Sequence, residues 1–454
     1  PYTYEKSLSL PYNVLHTDLK WSTNTEDKKR ASKYIESILL MLRTKVLLNN
    51  GDLSKTEIVW FYPASMTQNR FNKFKAEWEN TFATLFGAPI SNIIAASESV
   101  APYYYHKAKK GATSTVVSVD IGGGTTDVLI VDKGEPKYLT SFRFAANTIF
   151  GDGYSYDSDS NGFVNKYKDI ITNQLETNNL RGLKAVLKSV LDKRVSTDVI
   201  AFLFSLASNK EIKKEKVEIN FAKMLADDNR GKYVVILFYV AIVYHIAKLM
   251  KAKGFDMPRH MTFSGNGSKV LNILSTNDAT LVRLTKIIFE EIYAQSYSID
   301  GLDIIRPANS KESTCKGGII LTPFQSQDYG EIKDMKTILI GTDNEKFADV
   351  HMTYNDVTEA DLDSVVDVIK EYIEFTFKLD KKFSFYDNFD VDRSIMNKVK
   401  DLCYRDIRTY LENGLAIKKS EIAQDGADDN LEETLFFYPL VGIINAVVRN
   451  IYQM

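Results

Sequence analysis

The sequence predicts an α/β fold in two or three domains, on three observations. Strand-like runs of β-branched and aromatic residues alternate with helical patterns through the first two thirds of the chain. A β-meander is readable over 113–150, where "STVVSVD", "TTDVLIV" and "KYLTSFRF" are separated by tight turns. The 454 residues supply enough chain for several hydrophobic cores.

The opening carries a strand-like "NVLHTDLKW" and then a helical pattern from Thr25 to about Leu48. There Ile35, Ile38, Leu39 and Leu42 recur at helical spacing, and "NNGD" is the stop. "EIVWFYP" reads as a strand ended by Pro63. A helix "MTQNRFNKFKAEWENTFATLFG" follows, with Thr67 as its cap and Gly87 as its stop. "NIIAASESVAPYYYH" is a short strand running into a helix, and then comes the meander. From about Ser155 to Met250 the pattern is mainly helical, with Leu183, Val186, Leu187, Val190 and Leu191 on one apolar face. "HMTFSGNGSKVLNIL" returns to strand, glycine turn and helix, and "ATLVRLTKIIFEEIYAQ" is a further helix. Beyond Pro323, "MKTILIGT" reads as a strand. It leads into helices at "EADLDSVVDVIKEYIEFTFKL" and "RSIMNKVKDLCYRDIRTYLENG", a loop at "AQDGADDN" and a closing apolar helix.

Composition excludes some classes. A formal net charge of −2 gives no electrostatic case for nucleic acid. Cys315 and Cys403 are too few for a disulfide framework and favour a reducing compartment, hence a cytoplasmic protein. The chain opens at Pro1 with neither an initiator Met nor a signal peptide, as expected of a processed or truncated piece. "YVVILFYVAIVYHIAKLM" is nearly all apolar, but His245 and Lys248 shorten its clean run below the ~18–20 residues that span a bilayer. It reads as a core helix. On the closing helix Phe436, Leu440, Ile443, Ile444, Val447 and Ile451 share one face that lacks the Lys and Arg of a membrane-surface helix, which favours core packing or a return to the first domain. His16, His245, His260 and His351 are too far apart for a metal motif, and "KKEKVE" is a solvated surface.

The chemistry concentrates at "VVSVDIGGGTTDVLIV", residues 116–131. Glycines at positive φ let backbone N–H groups approach an anion with no Cβ in the way. No Lys-Ser/Thr follows, as in a Walker loop, and the next segment is a strand, unlike the dinucleotide fingerprint. Asp120 and Asp127 flank Gly122, Gly123 and Gly124 and can hold Mg²⁺ through its waters, while Thr125 and Thr126 offer hydroxyls to phosphate oxygens. A bare triple glycine would be only a tight hairpin; D-x-G-G-G-T-T-D between β-runs is a phosphate pattern.

"DIGGGTTDVLIV" resembles the second phosphate loop of the actin, heat-shock chaperone and sugar-kinase superfamily of ATPases. It is closest to heat-shock chaperone nucleotide-binding domains and bacterial actin homologues. "IVWFYPASMTQNRFNKFKAEW" is similar to the chaperone strand and helix before the connecting segment. "IIAASESVAPYYYH" is similar to the Glu-Pro helix start, with Glu98 at the glutamate and Ser99 at the proline. "MTFSGNGSKVLNIL" resembles the adenosine loop, and "SKESTCKGGIILT" the closing helix. Together these cover roughly 20–322 in the family's order.

The resemblance implies a two-lobed actin-like (ribonuclease H-like) α/β ATPase fold with an incomplete first lobe. It implies a partial first lobe over 1–112, a second lobe over 113–324 with a helical insertion at about 155–250, and a mainly helical C-terminal extension over 325–454. It implies ATP or ADP with Mg²⁺ between the lobes, phosphates on Gly122–Gly124, the metal near Asp120, and Glu98 ordering the metal's water shell or the attacking water. Gly265, Asn266, Gly267, Ser268 and Lys269 would meet adenosine; Lys269 stands where chaperones carry an adenine-stacking Arg, and Ser268 would cap the next helix. A first phosphate loop is not found in the sequence, and "ILIGTDN" at 338–344, its nearest approach, lacks the Asp before Gly341. Either the missing hairpin precedes Pro1 or comes from another chain, or the fold keeps the cleft for binding alone. The function implied is Mg-ATP binding coupled to lobe closure and to a protein partner or self-association. An inactive scaffold is the alternative, and a small-molecule kinase ranks third.

Overall fold

The computed structural model describes residues 25–63, 68–98, 100–110, 115–155, 158–298, 301–307, 310–320, 337–348, 352–425 and 433–454, with Leu19, Met66 and Leu431. The strand-like opening (apart from Leu19), the Thr67 cap, "GADDN", Ser99, His16 and His351 lie outside the described residues.

Two sheets organise the chain. The first is built from α1 (Thr25–Leu48), β1 (Ile58–Tyr62), α2 (Gln68–Phe86), β2 (Ile93–Ser97) and α3 (Val100–Lys110). β1 and β2 run parallel, from Ile58 opposite Ile93 to Tyr62 opposite Ser97. Side chains alternate across a strand, so Trp60 and Tyr62 turn to α1 and α2, where Ile35, Leu39, Phe82 and Phe86 complete a small core. Val59 and Phe61 turn the other way, to Val100, Ala101, Tyr103 and Tyr104 of α3. Gly87 ends α2 at φ +62° with no heavy atom where a Cβ would stand, the left-handed stop expected there.

The second sheet holds β3 (Val116–Ile121), β4 (Thr126–Asp132), β5 (Glu135–Phe142), β6 (His260–Ser264) and β7 (Asp303–Ile305) in the order β5-β4-β3-β6-β7. β3, β4 and β5 form the antiparallel meander, and β6 and β7 run parallel to β3. An antiparallel triplet continued by parallel strands in this order is the ribonuclease H-like sheet of actin-like folds, so the α/β class implied by the resemblance is the one the chain adopts.

The crossover from β5 to β6 is helical: α4 (Ala146–Phe150), α5 (Gly162–Thr177), α6 (Arg181–Asp192), α7 (Ser196–Ser205), α8 (Lys210–Lys214), α9 (Phe221–Ala226) and α10 (Lys232–Ala252). α10 meets the length and apolarity of a membrane span, but 94% of its apolar window is buried inside the protein, as befits a core helix. α11 (Leu271–Leu274), α12 (Asp278–Tyr293) and α13 (Ser310–Ile320) follow. α13 returns to the first sheet: a Cβ on Gly317 would stand 1.8 Å from the Ala101 carbonyl oxygen of α3, and one on Gly318 would enter the Phe61 ring. The small residues of "STCKGGIILT" thus serve a close helix crossing.

The C-terminal helices are α14 (Glu359–Phe383), α15 (Phe385–Phe389), α16 (Met396–Tyr404), α17 (Ile407–Asp425) and α18 (Phe437–Asn450). Their apolar residues join the core formed by the sheet and α10, and the predicted face of the closing helix, Phe436 to Ile451, is buried there. Two sequence expectations fail. The described part of "MKTILIGT", from Thr337, is not a strand; Ile338 and Leu339 are buried in an irregular segment whose Ile338 carbonyl accepts the Leu435 N–H at 2.8 Å. "RSIMNKVKDLCYRDIRTYLENG" is broken at Asp406, which adopts φ +54° between α16 and α17.

Candidate functional site

The glycine hairpin joins β3 to β4, closed by a 2.8 Å hydrogen bond from the Gly122 N–H to the Thr125 carbonyl. None of its three glycines has positive φ, so the conformational reason expected for them does not apply. Nor does crowding within the chain require them at the tip, since a Cβ on Gly123 would meet only the Asn147 side chain, at 3.5 Å or more. Gly123 and Gly124 are exposed, and a Cβ on Gly124 would meet no heavy atom within 4 Å, so the tip presents bare backbone to any ligand.

Strand register places the carboxylates. Asp120 is directly opposite Asp127 in the antiparallel pair, Asp120 is level with Ser264 on β6, and Asp127 with Ser141 on β5. Residues level across neighbouring strands share a face, so Ser264, Asp120, Asp127 and Ser141 form one polar row. Val116, Leu129, Val131 and Leu139 have the same parity and pack on α3, so the row faces the first-sheet side. Ser264 Oγ donates to Asp120 Oδ2 at 3.0 Å. Like charges directly opposite destabilise a strand pair, whereas a cation between them stabilises it. Mg²⁺ keeps several waters and takes one or two protein carboxylates, so a two-carboxylate row flanked by hydroxyls fits it. Among the described residues no cluster of three or more His, Cys, Asp or Glu could cage a metal ion.

The two threonines divide. Thr126 is fully buried on the helix face of the sheet, and its hydroxyl donates to the Phe144 carbonyl at 2.6 Å. That hydroxyl is committed to the fold, which corrects the role expected for it. Thr125 Oγ1 makes no hydrogen bond to a described residue and lies 3.9 Å from where a Gly122 Cβ would be.

The second glycine loop sits against the first. Gly265 has φ +80°, and a Cβ there would lie 2.2 Å from the Ile121 carbonyl oxygen and 2.4 Å from Asp120 Oδ1. A Cβ on Gly267 would be 2.1 Å from the Gly122 carbonyl oxygen. Both glycines are needed for the hairpin to approach, whatever they do for adenosine. Ser268 is not a helix cap: its hydroxyl donates back to the Gly265 carbonyl at 2.7 Å and closes the loop. Asn266 and Lys269 are exposed on the outer side of that turn.

The structure therefore brings Asp120, Gly122–Gly124, Thr125, Asp127 and Gly265–Lys269 into one cluster at the carboxyl ends of β3 and β6, where open α/β sheets place ligands. Glu98 belongs to the other sheet, at the carboxyl end of β2, where its N–H donates to the Tyr62 carbonyl at 3.0 Å. Gly341, of "ILIGTDN", lies beside Lys248 and Glu371 on α10 and α14. Sequence reasoning missed Ser264, Ser141 and the start of α4, where Ala146 and Asn147 donate their N–H groups to the Gly122 and Gly123 carbonyls at 3.3 and 2.8 Å. Strand parity alone could have found the two serines.

No family model matches the sequence, and neither does any curated protein. Solved structures similar to the chain include ethanolamine utilization protein EutJ from Carboxydothermus hydrogenoformans, at 12% identity over 66% of this chain and 76% of that one, with a TM-score of 0.30. MreB5 of Spiroplasma citri bound to ADP is similar at 14% identity over 65% and 77%, with a TM-score of 0.29. Superpositions this loose add no detail, and the fold rests on the strand order given above.

Proposed function

We propose that the chain binds Mg²⁺–ATP or ADP in the cleft between the two sheets and couples nucleotide state to the approach of the two halves, and so to a protein partner or to self-association. The observation that carries this reading is the polar row: two carboxylates held opposite each other beneath a bare glycine tip, with a second glycine loop pressed against the same tip. Phosphoryl chemistry asks a protein mainly for positioning and charge stabilisation, and this edge offers backbone amides for phosphates and carboxylates for a hydrated metal. Hydrolysis would further need a first phosphate loop facing this one.

Calorimetric titration of Mg²⁺–ATP tests the reading. Asp120→Ala is expected to weaken binding by about tenfold or more, the loss of one charge-assisted contact, while the chain still folds. Equal affinity in the variant would remove the site. A scaffold without turnover is the second reading, favoured because the first sheet has two described strands and no counterpart of the glycine hairpin among the described residues. Phosphate release on the longest natural form separates the two.

A further inference from the structure

The segment from Phe142 to Asn147 touches the glycine hairpin on one side and the C-terminal helices on the other. Toward the hairpin, the Phe144 carbonyl accepts the Thr126 hydroxyl, and the Ala146 and Asn147 amides hold the Gly122 and Gly123 carbonyls. Toward the C-terminal helices, Arg143 donates its backbone N–H to Glu433 Oε2 at 3.2 Å. Its Nε lies 3.3 Å from Glu433 Oε1, and its Nη1 donates to Glu421 at 2.6 Å. Lys418 of α17 adds a 2.9 Å bond to Glu433, and both side chains of that pair are at least 95% buried. Phe142 and Phe144 stack on Phe437 of α18, with centroids 4.1 and 4.7 Å apart.

From this geometry we infer that residues 142–147 form a mechanical bridge, with Arg143 as a positioning residue, through which nucleotide occupancy of the hairpin regulates the docking of α17 and α18, and their docking regulates the site. The inference rests on the nucleotide reading given above.

The physical case is one of stiffness. Burial would raise the Glu433 carboxyl, but Lys418 and Arg143 outweigh it and hold the group below its ordinary range, so it stays ionised and tied to both cations. A buried charge cannot leave its partners cheaply, so a shift of Arg143 must carry α17 and the start of α18 with it or break the cluster. Three bonds, of 2.6, 2.8 and 3.3 Å, tie the hairpin to Phe144–Asn147, so movement at Gly122 or Gly123 is passed toward Arg143. Binding linkage makes the effect reciprocal: what nucleotide does to the helices, the helices do to nucleotide affinity by the same factor.

Hydrogen exchange on the full chain, with and without saturating Mg²⁺–ATP, tests the bridge. In the unmodified protein nucleotide is expected to slow exchange across 407–425 and 437–450 as well as at 120–127. In Glu433→Gln the slowing at the C-terminal helices is lost, and the dissociation constant rises by about fivefold, the lower end of ordinary coupling. Arg408→Ala, elsewhere on α17, removes ion pairs to Glu412 on the same helix and to Glu359 and Asp363 on α14, and serves as the control that keeps both responses. Slowing confined to 120–127 in the unmodified protein, or unchanged affinity in Glu433→Gln, overturns the bridge. If no nucleotide binds at all, the nucleotide reading falls and the nucleotide-free comparison decides the bridge: Glu433→Gln must then speed exchange at 120–127 together with 437–450, and a change confined to 437–450 sinks it.

Discussion

Around the second sheet, helices from three stretches of chain converge on one continuous core, and even α10, apolar on all sides, is buried in it. Around the first sheet only two strands are described, and α1 buries Ile35 and Leu39 while leaving Tyr34, Met41 and Leu48 at 64, 64 and 77% exposure. Those three recur every seven residues and make a stripe along the outward side of α1. The first core compensates with aromatic density, Trp60 stacking on Trp78 at 5.5 Å with Phe71, Phe74 and Tyr62 around them. Stability follows buried apolar area, so the two halves of one chain are expected to open at different free energies.

Four measurements break or sharpen that comparison. The largest effect is expected at Gly162, where a Cβ would lie 1.8 Å from the Val448 carbonyl oxygen of α18. Gly162→Ala should cost on the order of 5 kcal/mol in the main far-UV thermal transition, since neither backbone can yield alone. A loss below about 1 kcal/mol would mean the second core is looser than its packing implies.

His245 comes next. Burial pushes its imidazole down to about 3, while the unfolded chain titrates near 6.5. The unfolded state therefore takes up the proton first, and the contribution, complete above about pH 6.5, is lost as pH falls toward 3, on the order of 5 kcal/mol in total. His245→Leu should flatten the acid limb of the far-UV transition; a limb of the same slope would clear this residue.

Phe82→Ala empties part of the first core and should cost about 3 kcal/mol there. All three tryptophans, Trp21, Trp60 and Trp78, belong to the N-terminal part of the chain, so tryptophan fluorescence reports that region while far-UV dichroism reports mainly the second. The fluorescence midpoint in urea should fall and the dichroism midpoint stay. Coincident shifts would show one cooperative unit and erase the distinction. The smallest effect is expected for Met41→Gln on the exposed stripe: under about 0.5 kcal/mol, with less light scattering at high protein concentration.

The meander, the helix stops at Leu48 and Gly87, and the carboxylate pair at 120 and 127 were legible because each is a local pattern of period, turn residue or parity. What the sequence could not convey depends on distant partners. The "ILI" of 338–340 reads like any strand, yet its ladder partner never arrives and its carbonyl is met by Leu435 instead. The break at Asp406 has no glycine or proline to announce it. Thr126 reads as a phosphate ligand until the Phe144 carbonyl is found on its hydroxyl. The glycines at 265 and 267 suggest a ligand surface, and only three dimensions show that the surface they first make room for is the hairpin itself.

That last contact constrains how the sequence can drift. Because the Gly122 carbonyl fills the place where residue 267 would carry a Cβ, selection sees these distant positions as one character. A change at 267 calls for a shift of the hairpin or of its own loop, and Asp120 stands only two residues before the carbonyl in the way. Lineages derived from this chain are therefore expected to keep the two loops together or to lose both.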